Sequence, residues 1–217
     1  MTIQHHPTGE LLTGFAAGIL DQGQHVAIAT HLVGCPHCRG WMRSMEHVGG
    51  AILAGLSPTA MSSGALARVE ARLDGQAQAA ETSLMSLPAP LENVPGLPAF
   101  VRRYRAGPWK WIAPRVHLRP VGLPYASKSR VFLLRSGPGT KMLEHTHTGI
   151  EMTCVLSGSF THESARFGPG DFDLGDESMD HRVRVDPGMD CICLVAMQGD
   201  LRLNGIVGRL VQPFVRM

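Results

Sequence analysis

The sequence predicts a multi-domain α plus β protein, a small all-α bundle followed by an all-β domain of barrel or sandwich type. Three observations predict it. Apolar residues recur with helical spacing between Gly9 and Met85, a proline-rich stretch interrupts the chain at residues 86–98, and short apolar runs separated by glycine turns fill the remainder. The chain has 217 residues, more than the roughly 100–150 of a usual small domain, and suits two modest ones.

In the first part, Leu11, Leu12, Phe15, Ala16, Ile19 and Leu20 share one helical face, and Trp41, Met42, Met45, Val48, Ile52 and Leu56 form a second stripe. Residues 1–85 are thus expected to be a helical domain. Between Ser86 and Pro98 four prolines forbid a helix and favour extended chain, so 86–98 reads as a linker. In residues 99–217 the runs Arg130–Leu134, Met152–Leu156 and Cys191–Val195 read as strands.

Composition excludes several classes. With 44% hydrophobic and 18% charged residues the chain can bury a core, which rules out wholesale disorder. The net charge of +2 gives no field that would favour nucleic acid or membrane, and the helical part, with 4 Arg against 6 acidic residues, is mildly acidic. The longest uncharged stretch, Val48–Ala67, is broken by glycines, Pro58 and serines where a spanning helix needs about 20 mostly apolar residues. The opening MTIQHHPTGE has no charged n-region or apolar h-region, and the five cysteines are an odd number. The expectation is a cytoplasmic protein with reduced thiols.

Eleven histidines beside those cysteines point to metal. His31, Cys35 and Cys38 stand at i, i+4 and i+7, one narrow arc if they share a helix. Thiolate and imidazole are the usual donors to structural zinc, which takes four ligands in a tetrahedron. The fourth is sought among His5, His6, His25, His37 and His47; His25 and His37 face away from the arc, while His5 or His6 can fold back from before the first helix. The bland alternative is two buried cysteines or a redox pair.

A second set lies in the β part. His145 and His147 share a strand face, and Glu151 keeps that parity if a turn at Gly149 interrupts the strand. Two imidazoles and a carboxylate on one wall can hold a metal, with a fourth ligand from a facing strand. Retaining such groups inside a barrel is costly unless something binds them, although a vestigial pocket is the alternative. Ligand count alone leaves zinc, iron, manganese and nickel open.

These motifs carry a resemblance. His31-x3-Cys35-x2-Cys38 with an upstream histidine resembles the zinc-binding anti-sigma domain. Gly139-x5-His145-x-His147-x3-Glu151-x6-Gly158 resembles the first motif of the cupin family, a double-stranded β-helix barrel. The second cupin motif is looser: Phe167–Asp171 supplies its turn and His181 stands near its metal histidine, but Val185 replaces its asparagine. A zinc anti-sigma domain followed by a cupin resembles the ChrR-type zinc-dependent anti-sigma family over the whole chain.

That resemblance implies zinc at His6, His31, Cys35 and Cys38, and a cupin metal, zinc in the family, at His145, His147, Glu151 and His181. It implies helices that lodge in an extracytoplasmic-function (group IV) sigma factor and block its polymerase-binding surfaces. The cupin is then needed for release under oxidative stress of the singlet oxygen type, with no catalytic residue of its own. The stripe at residues 41–56 and the methionine segments around Met61 and Met85 are the expected sigma-binding surface, against the bland reading of internal core. Other readings are a metal-dependent cupin enzyme, a dioxygenase or thiol oxygenase with a helical accessory domain, and a ligand-binding cupin acting on another partner.

Three features remain. Arg102–Arg105 with Trp109–Trp111 interleaves basic and aromatic residues and is read as the solvated first strand of the β domain, the tryptophans packed on its outer face. Cys191 and Cys193 share a strand face, about 6–7 Å apart if the strand is regular, and are either core or an oxidant-sensitive pair. His117 and His162 lack a motif and are expected at the surface.

Overall fold

Thr8 opens helix α1 (Gly9–Ala16) by accepting the Leu11 N–H on its hydroxyl. Asp21 opens α2 (Gln22–Gly34) with a reciprocal capping box to Gln24. α3 (Pro36–Ala54) starts with Cys35 at its N-cap and Pro36 in its first turn. A further helix, α4, covers residues 65–73. The computed structural model describes residues 2–73, 91, 94–142, 145–176 and 183–203.

Two helical expectations shift. Ile19 and Leu20 fall beyond α1. His31, Cys35 and Cys38 do not share one helix, because the chain breaks between α2 and α3. Pro36 has no N–H and its ring would clash with the carbonyl four residues back, so a continuous helix through Cys35 is disfavoured.

The strands are β1 (Arg105–Ala106), β2 (Lys110–Ala113), β3 (Val116–Gly122), β4 (Arg130–Ser136), β5 (His145–His147), β6 (Glu151–Ser157), β7 (Phe160–His162), β8 (Ala165–Phe167), β9 (Phe172–Gly175), β10 (Val183–Val185), β11 (Cys191–Met197) and β12 (Leu201–Leu203). A seven-stranded sheet runs β1-β3-β4-β11-β6-β9 with β2 also on β3, beside a β10-β7-β8 sheet and a β12-β5 ladder. The three apolar runs foreseen as strands lie side by side at its centre, β4 and β6 flanking β11 antiparallel.

The large sheet is the middle layer of three. Phe132, Val155, Cys193 and Val195 pack on one side against Phe160, Phe167 and Val185 of the small sheet. On the other side Met152, Cys154, Leu194 and Ala196 form one continuous core with Val26, Ala27 and Ile28 of α2. Val26 and Ile28 are buried, worth about 1.5–3 kcal/mol each. Leu91, Val94 and Leu97, from the proline-rich stretch, are buried in the same core, while residues 86–90 and 92–93 of the stretch and Met85 lie outside the described residues.

Asp21 latches α2 onto the sheet. Besides capping α2, its carboxylate accepts from the Ser127 hydroxyl (3.0 Å), the Ser129 N–H and hydroxyl (3.0 and 2.8 Å) and the Gln198 amide (3.0 Å). Burial opposes its ionisation, but these hydrogen bonds outweigh burial and hold Asp21 below the usual carboxylate range. Glycine is required beside it, since a Cβ on Gly23 would stand 2.6 Å from the Ser129 Cβ. The basic-aromatic segment is split: Trp111 is exposed on β2, whereas Tyr104 and Trp109 pack partly buried against the core, which corrects the expectation of tryptophans together on an outer face.

Candidate metal centre and partner surface

His6, His31, Cys35 and Cys38 come together at the junction of α2, α3 and the N-terminal segment, all four ligand atoms within 4.8 Å of one another. His6 Nδ1 lies 3.4 Å from each of the Cys35 and Cys38 sulfurs, and His31 Nε2 lies 3.3 Å from the Cys38 sulfur. Zinc bonds to sulfur and nitrogen would set tetrahedral edges of about 3.6 Å, so the donor set fits a zinc ion in both chemistry and size. The helix break makes this possible. Cys35 at the α3 N-cap accepts the Cys38 N–H on its sulfur, turning both thiols towards His31 at the end of α2.

Protonation suits the same role. Burial lowers His31, the Gly170 carbonyl 2.7 Å from its Nδ1 opposing, and so leaves a neutral ring with Nδ1–H donated and Nε2 free to ligate. His6 is also lowered, by burial first and then by His37. Burial, then the neighbouring Cys35 thiol, pushes Cys38 up to about 12, so at neutral pH it stays a thiol until a bound cation displaces its proton to solvent.

Of the other histidine candidates, His5 stacks on Phe167 at 4.1 Å, His25 stacks on Phe15 at 4.2 Å and His47 is exposed, while His37 is exposed with its ring 4.9 Å from that of His6 and is not one of the four clustered ligands.

In the β domain, His145 and His147 occupy positions of equal parity on β5, the chain bends at Thr148–Gly149, and Glu151 opens β6. The Glu151 carboxylate accepts from the Thr153 hydroxyl at 3.1 Å. His181 lies outside the described residues.

His162 corrects the surface expectation. It is 3% exposed, with Nδ1 3.1 Å from the Asp173 carboxylate, which raises its pKa. Phe160 and His162 share parity on β7, so its inward direction was readable from strand alternation. His117 on β3 is half-buried.

Cys191 and Cys193 are buried thiols with sulfurs 3.7 Å apart, nearer than the roughly 6–7 Å expected, although β11 pairs with β4 in unbroken register through both. The Cys191 thiol beside it, then burial, pushes Cys193 well above the ordinary thiol value, which keeps it a poor nucleophile.

The expected partner surface is open. Trp41, Val48, Ile52 and Leu56 are exposed along and just beyond α3, and Met61 is 77% exposed; Met42 alone of the stripe is buried. On α4, Leu66, Val69 and Leu73 are also exposed, at i, i+3 and i+7, a spacing that was available in the sequence. Exposed apolar side chains grouped in this way on a helix mark an interaction site. No helix among the described residues is long and apolar enough to cross a membrane.

Comparison with known proteins agrees with both halves. A family described as the ChrR Cupin-like domain matches residues 98–199. The anti-sigma-E factor ChrR of Cereibacter sphaeroides is 38% identical over 220 residues, covering 100% of both chains. The chain belongs to the ChrR anti-sigma factor family. A solved ChrR, in the crystal structure of Rhodobacter sphaeroides SigE in complex with the anti-sigma ChrR, is 32% identical with a TM-score of 0.72, covering 91% of this chain and 100% of that one. The ChrR likeness therefore spans the helices and the cupin together.

Proposed function

We propose that this protein is a cytoplasmic anti-sigma factor, a regulator and not an enzyme, that binds and inhibits an extracytoplasmic-function sigma factor of group IV. The observation that carries this is the exposed apolar residues of α3 and α4, α3 itself starting at the four-ligand cluster through Cys35 and Cys38. Zinc at His6, His31, Cys35 and Cys38 would supply a structural cross-link, tying the N-terminal segment and the α2–α3 junction into one unit. The open faces then present hydrophobic anchors to the sigma factor, as the kinship with a ChrR that forms a complex with SigE supports.

The cupin supplies the response. His145, His147, Glu151 and His181 would hold a second metal, and oxidative stress of the singlet oxygen type acts on this domain, or on Cys191 and Cys193, to shift the population towards a state that holds sigma less well. Direct packing of α2 on β6 and β11 gives such a change a route to the helices. The test is a sigma-dependent reporter under light and photosensitiser. The His145→Ala and Glu151→Gln chains are expected to repress as well as wild type in the dark and to fail to release on induction. Unimpaired release in both would remove the cupin metal from the mechanism.

A further inference from the structure

Both candidate histidine ligands are held from outside their own domain. The N-terminal segment reaches His6 by lying along the cupin turn between β8 and β9. Asp171, buried there, accepts the Gln4 N–H (2.7 Å) and the His5 N–H (3.0 Å) on one carboxylate oxygen and the Gly168 N–H (2.8 Å) on the other. Phe172 donates its N–H to the His5 carbonyl at 3.1 Å, and His5 stacks on Phe167. Ile3 closes over Gly170, whose φ of +91° and approach to the Ile3 side chain exclude a larger residue. On the other flank the Gly170 carbonyl lies 2.7 Å from Nδ1 of His31.

We infer that the cupin turn Gly168–Asp171 is a positioning element of the N-terminal metal site, Asp171 fixing His6 and the Gly170 carbonyl fixing His31, so that the docked cupin sets the site's zinc affinity. This rests on the zinc reading proposed above. The physical reason is that metal affinity depends on how well ligands are oriented before the ion arrives. Outer partners that fix a ligating histidine commonly change affinity about 10–100-fold when removed. The two cysteines are placed by their own helix junction, whereas the two histidines depend on a turn far along the chain, 139 residues beyond His31 and about 165 beyond His6.

The same turn leads directly into β9. Three residues beyond Phe172, Gly175 pairs with Glu151, the first residue of β6, and Asp173 between them holds His162. One short strand therefore joins the outer contacts of the N-terminal site to a candidate ligand of the cupin, and a displacement at one end has a packed element through which to reach the other.

The test uses the full chain in competition with a zinc-chelating dye, and cobalt(II) as a spectroscopic probe. The thiolate-to-cobalt charge-transfer band reports the N-terminal site alone, because the cupin set contains no cysteine. Asp171→Ala is expected to lower zinc affinity at that site about 10–100-fold and to change the cobalt spectrum. Asp171→Asn, which keeps an oxygen for the Gln4 and His5 amides, is expected to recover most of the affinity. Gln4→Pro deletes one of those amides without touching the barrel, and carries the test with a several-fold loss if Asp171→Ala does not fold. Wild-type affinity and an unchanged cobalt spectrum in Gln4→Pro and in a folded Asp171→Ala would overturn the inference. A Cys35→Ser chain that keeps its full metal content would instead overturn the zinc reading on which it rests.

Discussion

Replacing Cys38 by serine is expected to remove one zinc per chain and to abolish sigma binding, with the cupin left folded. Cys38 is fully buried and its sulfur lies within 3.4 Å of both histidines. Serine is a poor zinc donor, and three remaining ligands leave the N-terminal segment and the α2–α3 junction without their cross-link. Structural zinc contributes about 10–16 kcal/mol in small zinc-folded peptides, far more than the mostly exposed α3 can recover from its own packing. The expected loss of sigma affinity exceeds a hundredfold, about 3 kcal/mol. Metal analysis, helical circular dichroism and a binding titration check it together. A variant with full zinc content, or one that loses zinc and still binds sigma normally, contradicts the structural role.

Ile52→Asp is expected to weaken sigma binding by about 30- to 1,000-fold, or about 2–4 kcal/mol, while zinc content and melting temperature stay at wild-type values. Ile52 is 64% exposed, so its own fold loses almost nothing when the side chain changes. A carboxylate placed in an apolar interface, by contrast, must be desolvated without a partner. Isothermal titration with the sigma factor measures the loss. Equal affinities would show that α3 does not face the partner.

The chemistry was more legible in the sequence than the docking. His31, Cys35 and Cys38 announced a candidate metal cluster by residue type and spacing, and Gly139 to Gly158 announced the cupin-like domain. The apolar runs bounded by glycine turns placed β4, β6 and β11. What the spacing mis-stated was the helix, since Pro36 divides the motif between α2 and α3. The packing of α2 on the sheet was hidden because the helix is buried on several sides, at Val26, Ala27, Ile28, Thr30 and His31, and so shows no single apolar stripe. Asp21 read only as a helix cap, because its serine partners stand more than 100 residues away. His162 escaped notice for a related reason. Its carboxylate lies on another strand, and a lone histidine in a short strand carries no motif.

On the function proposed above, the helical part masks a sigma factor through α3 and α4. Amide hydrogen exchange on the zinc-loaded full chain, with and without an equimolar group IV sigma factor, tests it most directly. The account predicts protection concentrated in residues 41–56 and 65–73, with the exposed edge strand β2 unchanged. Absence of protection in both helices, in a chain that holds its zinc, would contradict it.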